Sequence, residues 1–291
     1  MFDSLIETYF ALIRQGETYL FLLPIYAVLL SGERIAHGLM TERPWNNRDA
    51  AANVFITVAV LGLSMVIGHI LPLTIMALLH EQCSLFTWTE GTLMWVGAFL
   101  LYDLAWYVDH RIAHRVGFFW AMHHVHHSST EYNMTVASRG FVVDTTLLSR
   151  PTFYLLPILG VGPFQFIVIA ILTNIWGIAQ HTRLIGKLGW LDWLLATPSN
   201  HRVHHGYNPE YIDRNYGEVL MIWDRLFGTY EPEKVEPTYG VVQPINTNNP
   251  LLIEVAGLGW LAAKVRSCTG FRDKVRCLYR PPEWQPTAAR D

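Results

Sequence analysis

Two runs of sequence decide how this chain is read: DHRIAHRVGFFWAMHHVHH at residues 109–127 and NHRVHH at residues 200–205. The first holds an HxxxH, His110 and His114, and an HxxHH, His123, His126 and His127. The second holds another HxxHH, His201, His204 and His205. Residues three and four apart share a face of an α-helix. The spacing therefore predicts short helices that each present imidazoles to one side. Imidazole suits iron, zinc, copper and nickel, and eight donors exceed the four that a tetrahedral zinc takes. Two metal ions in one cage is the simplest count. His181 ends a long apolar stretch and is a candidate ninth ligand; the alternative is a helix-end histidine at an interface. His124 lies about 100° around the helix from His123, so it is expected to point away. Of the 13 histidines only His37, His69 and His80 lie outside this region. His37 and His80 read as interfacial, and His69 as a packed histidine.

Outward from the boxes the chain turns apolar. Of its 291 residues 51% are hydrophobic and 15% charged, against roughly 25% charged in an ordinary soluble domain. Four stretches stand out: Tyr19 to Leu39, interrupted by Glu33 and Arg34; Ala50 to Leu79, with His69 its one titratable group; Thr92 to Val108, apolar except for Asp103; and Phe141 to Gln180. A bilayer span needs about 20 helical residues, so the second stretch reads as the clearest span. The fourth is long enough for two limbs, broken at Gly160, Gly162 and Pro163 into a helical hairpin. The expected organisation is an N-terminal segment (1–18), a membrane-embedded domain (19–280) and a disordered tail (281–291). Leu251 to Val265 is expected to lie on the membrane surface or on the core. Asp3 and Glu7 occupy the place of a basic n-region, which argues against a signal peptide.

The fold class predicted is all-α: an integral membrane helical bundle with a histidine-rich di-metal site at one end. Counting hairpins returns the chain to the same side before each box. Arg34, Arg43, Arg48, Arg111, Arg115, Arg183, Lys187 and Arg202 fall on that side, whereas His80 to Gly91 carries no Lys or Arg. By the positive-inside rule that side is cytoplasmic, in a bacterial inner membrane or an endoplasmic reticulum.

Supporting residues are sought near the boxes. A carboxylate in an apolar span is costly and marks function. Asp103, seven residues before His110, is placed to accept the ring N–H of a ligand; an ion pair with Arg111 is the alternative. Asn133 and Arg139 follow the second box and are expected to order the site or touch substrate. Together Asp103, Asn133 and Arg139 are the candidate catalytic residues, with Asp109, Glu131 and Asp144 weaker. A net charge of −3 gives no basic surface for nucleic acid. Cys83, Cys268 and Cys277 form neither a disulfide framework nor a CxxC site. No GxGxxG, Walker loop or GxSxG elbow is present, so electrons are expected from outside, through a redox protein or a reducing cofactor.

DHRIAHRVGFFWAMHHVHHSSTEYN (109–133) and TPSNHRVHHGYNPEYIDRNYGEVLMIWDRLFGTYEPE (197–233) resemble the three boxes of the fatty acid hydroxylase/sterol desaturase superfamily. TYGVVQPINTNNP (238–250) is similar to its alkylglycerol monooxygenase branch. The resemblance implies an all-helical membrane enzyme with two Fe ions, dioxygen as co-substrate and a lipid alkyl chain as substrate. It implies His110, His114, His123, His126, His127, His201, His204 and His205 as ligands, with His181 matching a further histidine. Hydroxylation, desaturation and ether-bond oxidation all lie within its scope, with hydroxylation favoured. The electron donor implied is a redox protein or a reduced pterin. The chain departs from the branch at Arg115, where that branch carries Glu, and at Asp109, where an aromatic residue is usual. A zinc-dependent membrane hydrolase is disfavoured because no carboxylate sits between the box histidines. A metal transporter is disfavoured because ligands for transport sit within spans, whereas these flank them.

Overall fold

A computed structural model describes residues 18–63, 70–142 and 148–285 of the chain. The described residues are helical, with no strand among them and two isolated bridges, Leu195 with Leu220 and Gly206 with Tyr239. The expected all-α class holds. His69, Asp144 and residues 286–291 lie outside the described residues.

The longer helices are α1 (Thr18–Met40), α2 (Asn47–Leu63), α3 (Ile70–Cys83), α4 (Thr92–Arg115) and α5 (Gly117–His127). A one-turn α6 (Met134–Ala137), a 3-10 turn (Pro151–Tyr154) and a one-turn α7 (Leu155–Ile158) lead to α8 (Pro163–Gln180). Then come α9 (Leu191–Leu194), α10 (Pro198–His205), α11 (Ile222–Leu226), α12 (Pro250–Ser267) and α13 (Phe271–Tyr279). Box one ends α4, box two ends α5 and box three is α10. Pro163 and Pro198 sit in the first turn of their helices, where a missing N–H costs nothing. Asn133 caps α6 by accepting from the Thr135 N–H at 3.0 Å, and Asn249 caps α12 by accepting from the Leu251 N–H at 3.0 Å.

Among the described residues α8 is the helix long and apolar enough to cross a membrane by itself. Of the stretch expected as the clearest span, α2 (17 residues) and α3 (14 residues) are described, and residues 64–69 between them lie outside the described residues. The first turns of α2 are polar and turned inward, with Asp49 and Asn53 buried. The hairpin break falls where expected, with Gly160 at φ +92°. Of its first limb, the described helical part is the eight residues Pro151–Ile158. That limb starts part-way along α4, since the Thr152 hydroxyl donates to the Ala105 carbonyl at 2.9 Å. Glu33 does not simply interrupt α1; its carboxylate accepts from the Met134 N–H at 2.6 Å and ties α1 to α6.

Both α4 and α8 run toward the histidines. At about 1.5 Å per residue, the path from Thr92 to His110 is roughly 27 Å, close to a hydrocarbon thickness of about 30 Å. At the far end the Leu85 N–H donates to the Ile158 carbonyl at 2.8 Å and the Trp88 indole to the Leu159 carbonyl at 2.9 Å. Between the ends, Tyr102, Phe153 and Phe166 pack with Met76, Leu156 and Ile169 into one apolar cluster. A second cluster, of Ala52, Ile56, Val125 and Ile253, clamps α5 between α2 and α12. Burying an Ile or Val side chain stabilises by about 1.5–3 kcal/mol, so box two is held by core packing. Gly257 of α12 lies directly against the Ala121 carbonyl of α5, and a Cβ there would meet it. Large apolar side chains such as Val58, Leu93 and Leu172 stay exposed on the outside, the pattern of a surface that expects an apolar partner. Of the tail expected to be disordered, Pro281–Gln285 is described, and Trp284 packs with Leu261, Cys268 and Cys277.

Candidate metal centre

Nine histidines meet at the end of α4, α5, α8 and α10, in two groups. His110, His114, His123, His127 and His204 form one, and His126, His181, His201 and His205 the other. Within each group one nitrogen per ring lies within 4.8 Å of all the others. The eight box residues and His181 are thus brought together. His124 belongs to neither group. It is buried beneath Trp120 rather than facing solvent.

The ring nitrogens show which tautomer the fold selects. His110 Nδ1 lies 2.9 Å from the Tyr216 carbonyl, His126 Nδ1 3.1 Å from that of Arg139, His181 Nδ1 2.7 Å from that of Gly177 and His204 Nδ1 2.9 Å from that of Arg214. A carbonyl only accepts, so each Nδ1 carries the proton and each Nε2 is left as a lone pair. Those Nε2 atoms point at one another. His110 and His127 Nε2 each lie 3.1 Å from His123 Nε2, and His204 Nε2 lies 3.1 Å from His127 Nε2. In the second group His181 Nε2 is 3.1 Å from His201, 3.2 Å from His205 and 3.4 Å from His126. Converging lone pairs repel unless a cation sits among them. Two ligands at metal–nitrogen distances of about 2.0–2.1 Å, at right-angled to tetrahedral geometry, are separated by roughly 2.9–3.4 Å. The observed separations fit. Buried His114 Nε2 has no hydrogen-bond partner among the protein groups, which also fits a metal ligand.

Burial pushes the imidazoles of His110, His123, His126, His127, His201, His204 and His205 well below the ordinary histidine value, and His181 down to about 3. Desolvation of the charged form is the first cause. These eight donors are therefore neutral, the form that binds metal. Burial also holds His124 down, at about 4.

The residues expected to support the cage do so indirectly. Asp103 reaches no histidine ring and forms no pair with Arg111. Its carboxylate accepts from the Val219 and Leu220 N–H groups at 3.0 and 3.2 Å and from the Trp223 indole at 2.9 Å. It anchors the loop whose Tyr216 carbonyl orients His110. Asp224 fixes the same loop, accepting from the Tyr216 and Gly217 N–H groups, both at 2.8 Å. Asn133 caps α6 and touches no box histidine. Arg139 is fully buried, and its guanidinium donates to the Val125 carbonyl, Asp49, Asn53 and Ser128. Its own carbonyl takes His126. Asp109 accepts from the Thr152 N–H at 3.1 Å. The Glu131 N–H donates to the Ser129 hydroxyl at 3.1 Å, and His37 stacks edge-on against Trp45.

Sequence reading passed over Asp49, Asp213, Asp224 and Glu233. Asp213, at φ +61°, pairs with Arg115 and lies 3.7 Å from His114 Nδ1. Burial alone would raise its carboxyl, but His114 and Arg115 outweigh that and hold it at about 2. Arg202 donates to Glu233 at 2.9 and 2.7 Å and to the Thr182 and Ile185 carbonyls, which locks α10 to the segment after His181. A cavity of about 150 Å³ touches both histidine groups.

Residues 95–229 match the family model for fatty acid hydroxylase. An alkylglycerol monooxygenase of Homo sapiens is 32% identical over 269 residues, covering 92% of this chain and 60% of that protein. The Xenopus tropicalis alkylglycerol monooxygenase is 37% identical over 206 residues, covering 70% of this chain and 45% of the relative. An ornithine lipid hydroxylase of Rhizobium tropici is 28% identical over 205 residues, covering 65% of this chain and 60% of that protein. The chain thus spans about half the length of the first curated relatives it matches. No solved structure matches it. The chain thus carries a fatty acid hydroxylase family domain at residues 95–229, and that stretch holds all nine converging histidines.

Proposed function

We propose that this chain is a non-haem di-iron, dioxygen-dependent membrane oxidoreductase that hydroxylates a lipid alkyl chain. The observation that carries the reading is the pair of all-histidine groups with converging Nε2 lone pairs beside one cavity. Names among the relatives, alkylglycerol monooxygenase and ornithine lipid hydroxylase, support a lipid substrate. Two iron ions would supply the oxidising power for an unactivated C–H bond, which acid–base side chains lack. The overall change is R–H plus dioxygen, two electrons and two protons to R–OH and water. The electrons come from a redox protein or a reduced organic cofactor outside the chain.

The residues of the chain perform the rest. The backbone carbonyls at 139, 177, 214 and 216 hold the ring protons on Nδ1 and keep Nε2 free. Burial of the rings excludes water from the cage. Trp106, Phe141 and Ile178 give the cavity an apolar wall for the alkyl chain.

A cytoplasmic orientation of the site is part of the proposal. Arg43, Arg115 and Arg202 pair with Glu236, Asp213 and Glu233 of the segment after box three, so positive residues cluster at the histidine end. The loops that meet at the other end carry no Lys or Arg. Protein purified anaerobically should contain about two irons per chain, and cells expressing it should yield a lipid that gains one heavy-oxygen atom under labelled dioxygen. Zinc alone, with activity independent of dioxygen, sinks the reading in favour of a hydrolase.

A further inference from the structure

The cavity beside the histidines is not purely apolar. Arg150 and the buried Glu218 stand in its wall, and exposed Asn174 stands at its rim. The Arg150 guanidinium sits over Trp106, with its central carbon 3.7 Å from the ring centroid, and 5.8 Å from the Phe153 ring. Stacking of this kind fixes the plane of the fork and leaves its N–H edge free. Among the described residues no carboxylate lies within ion-pair distance of Arg150, and no acceptor takes its N–H groups. The Trp106 indole N–H is likewise buried without an acceptor. The half-buried Arg150 fork, in the wall of the cavity and with no protein acceptor, is open to a ligand oxygen. By contrast Arg139, on the same cavity, has its donors filled by Val125, Asp49, Asn53 and Ser128.

We propose that Arg150 and Trp106 form a head-group subsite that binds the carboxylate of an acyl lipid and so sets which carbon is oxidised. The inference rests on the oxygenase reading above and names its substrate class. An ionised carboxylate matches the planar guanidinium fork, with Trp106 as the platform that holds the fork in place. Histidines of both groups line the same space, so the C–H bond they face lies within a few bonds of the head rather than at mid-chain.

Binding tests this without turnover. The full-length protein, stripped of metal with a chelator and held in detergent micelles, is titrated with radiolabelled palmitate and with radiolabelled 1-hexadecanol. The two probes share a chain and differ in the charge of the head. Palmitate should bind roughly tenfold tighter or more, the size expected for hydrogen bonds to a charged group. Arg150→Leu should reduce palmitate to the hexadecanol level and leave hexadecanol unchanged. Arg150→Gln, which keeps a stem over Trp106, repeats the test if the leucine variant does not fold. Equal binding of both probes, or a palmitate preference that survives both substitutions, overturns the subsite. Iron content and heavy-oxygen incorporation are read separately, so the oxygenase reading and the subsite fail independently.

Discussion

The buried pair of Arg139 and Asp49 offers the most direct test of how the cage is held. Their side chains are 0% and 4% exposed and 3.1 Å apart. Asp49 also accepts from Asn53 at 2.9 Å and from Ser129 at 2.8 Å. Arg139→Leu removes the cation, and the carboxylate stays buried with only those two neutral donors. Breaking a buried pair from one side costs about 3–5 kcal/mol. Asp49→Leu exposes the converse fault, a buried guanidinium that keeps Asn53, Ser128 and the Val125 carbonyl. The double variant Asp49→Leu/Arg139→Leu carries no stranded charge, and replacing a buried pair by apolar residues is often close to neutral. The double variant should therefore be less destabilised than either single one, with a coupling energy above about 2 kcal/mol. Chemical unfolding in micelles, followed by tryptophan fluorescence, measures it. A functional consequence follows from the Arg139 carbonyl that orients His126. Arg139→Leu should weaken metal binding by the group of His126, His181, His201 and His205 before that of the other five, so cobalt titration should approach one equivalent per chain rather than two. Additive single-variant costs, together with full binding of both equivalents, would refute the reasoning.

His126→Ala and His204→Ala each remove a converging Nε2 and should abolish turnover with loss of iron by elemental analysis; His124→Ala, outside both groups, should keep both irons, and equal losses in all three would contradict the assignment. Burial pushes the Glu218 carboxyl up to about 8, with Arg150 drawing it down. Between about 4.5 and 8 the unfolded chain has lost that proton while the folded chain keeps it, so this group's contribution to stability falls as pH rises. Glu218→Gln should gain stability relative to the parent between pH 5 and pH 8, and a constant difference in melting temperature across that range counts against the raised value. Gly257→Ala should cost about 1–3 kcal/mol by overpacking α12 on the Ala121 carbonyl, measured by the same unfolding; an unchanged midpoint means the helices do not approach so closely.

What was legible from residue order divides along a physical line. The box histidines were legible because helical spacing is local, and ligands three and four apart declare themselves. His181 was legible only as a candidate, because it stands 20 residues from the next box and joins through the path of α8. The groups that fix the tautomers were not legible at all. They are main-chain carbonyls at 139, 177, 214 and 216, and a carbonyl has no residue-type signature. Asp103 was rightly singled out as a carboxylate in an apolar helix, but its partners are N–H groups of a loop more than 100 residues on. Hydropathy likewise does not see that Asp49 and Asn53, at the start of α2, turn inward to meet Arg139.

The two HxxHH boxes carry a further regularity, which spacing hinted at and only the fold resolves. Reading each box as one face sends its three rings to one place. The structure splits them. In box two the i,i+4 pair His123 and His127 joins the larger group while His126 crosses to the smaller; in box three the pair His201 and His205 joins the smaller while His204 crosses to the larger. Residues four apart stand 40° apart around a helix, whereas the residue at i+3 stands about 60° to the other side. A helix laid between two sites therefore gives its close pair to one and its odd member to the other. The boxes are exchanged in role, and each binds both halves of the cage together. The remaining donors then follow. His110 and His114 of α4 complete the larger group, whereas the smaller has only His181 to complete it. Loss of His181 leaves three donors on that side, while loss of His110 or His114 leaves four on the other. His181→Ala should therefore deplete one metal more completely than His114→Ala depletes its own. An opposite order would mean that the split, and not only the role of His181, is wrongly drawn.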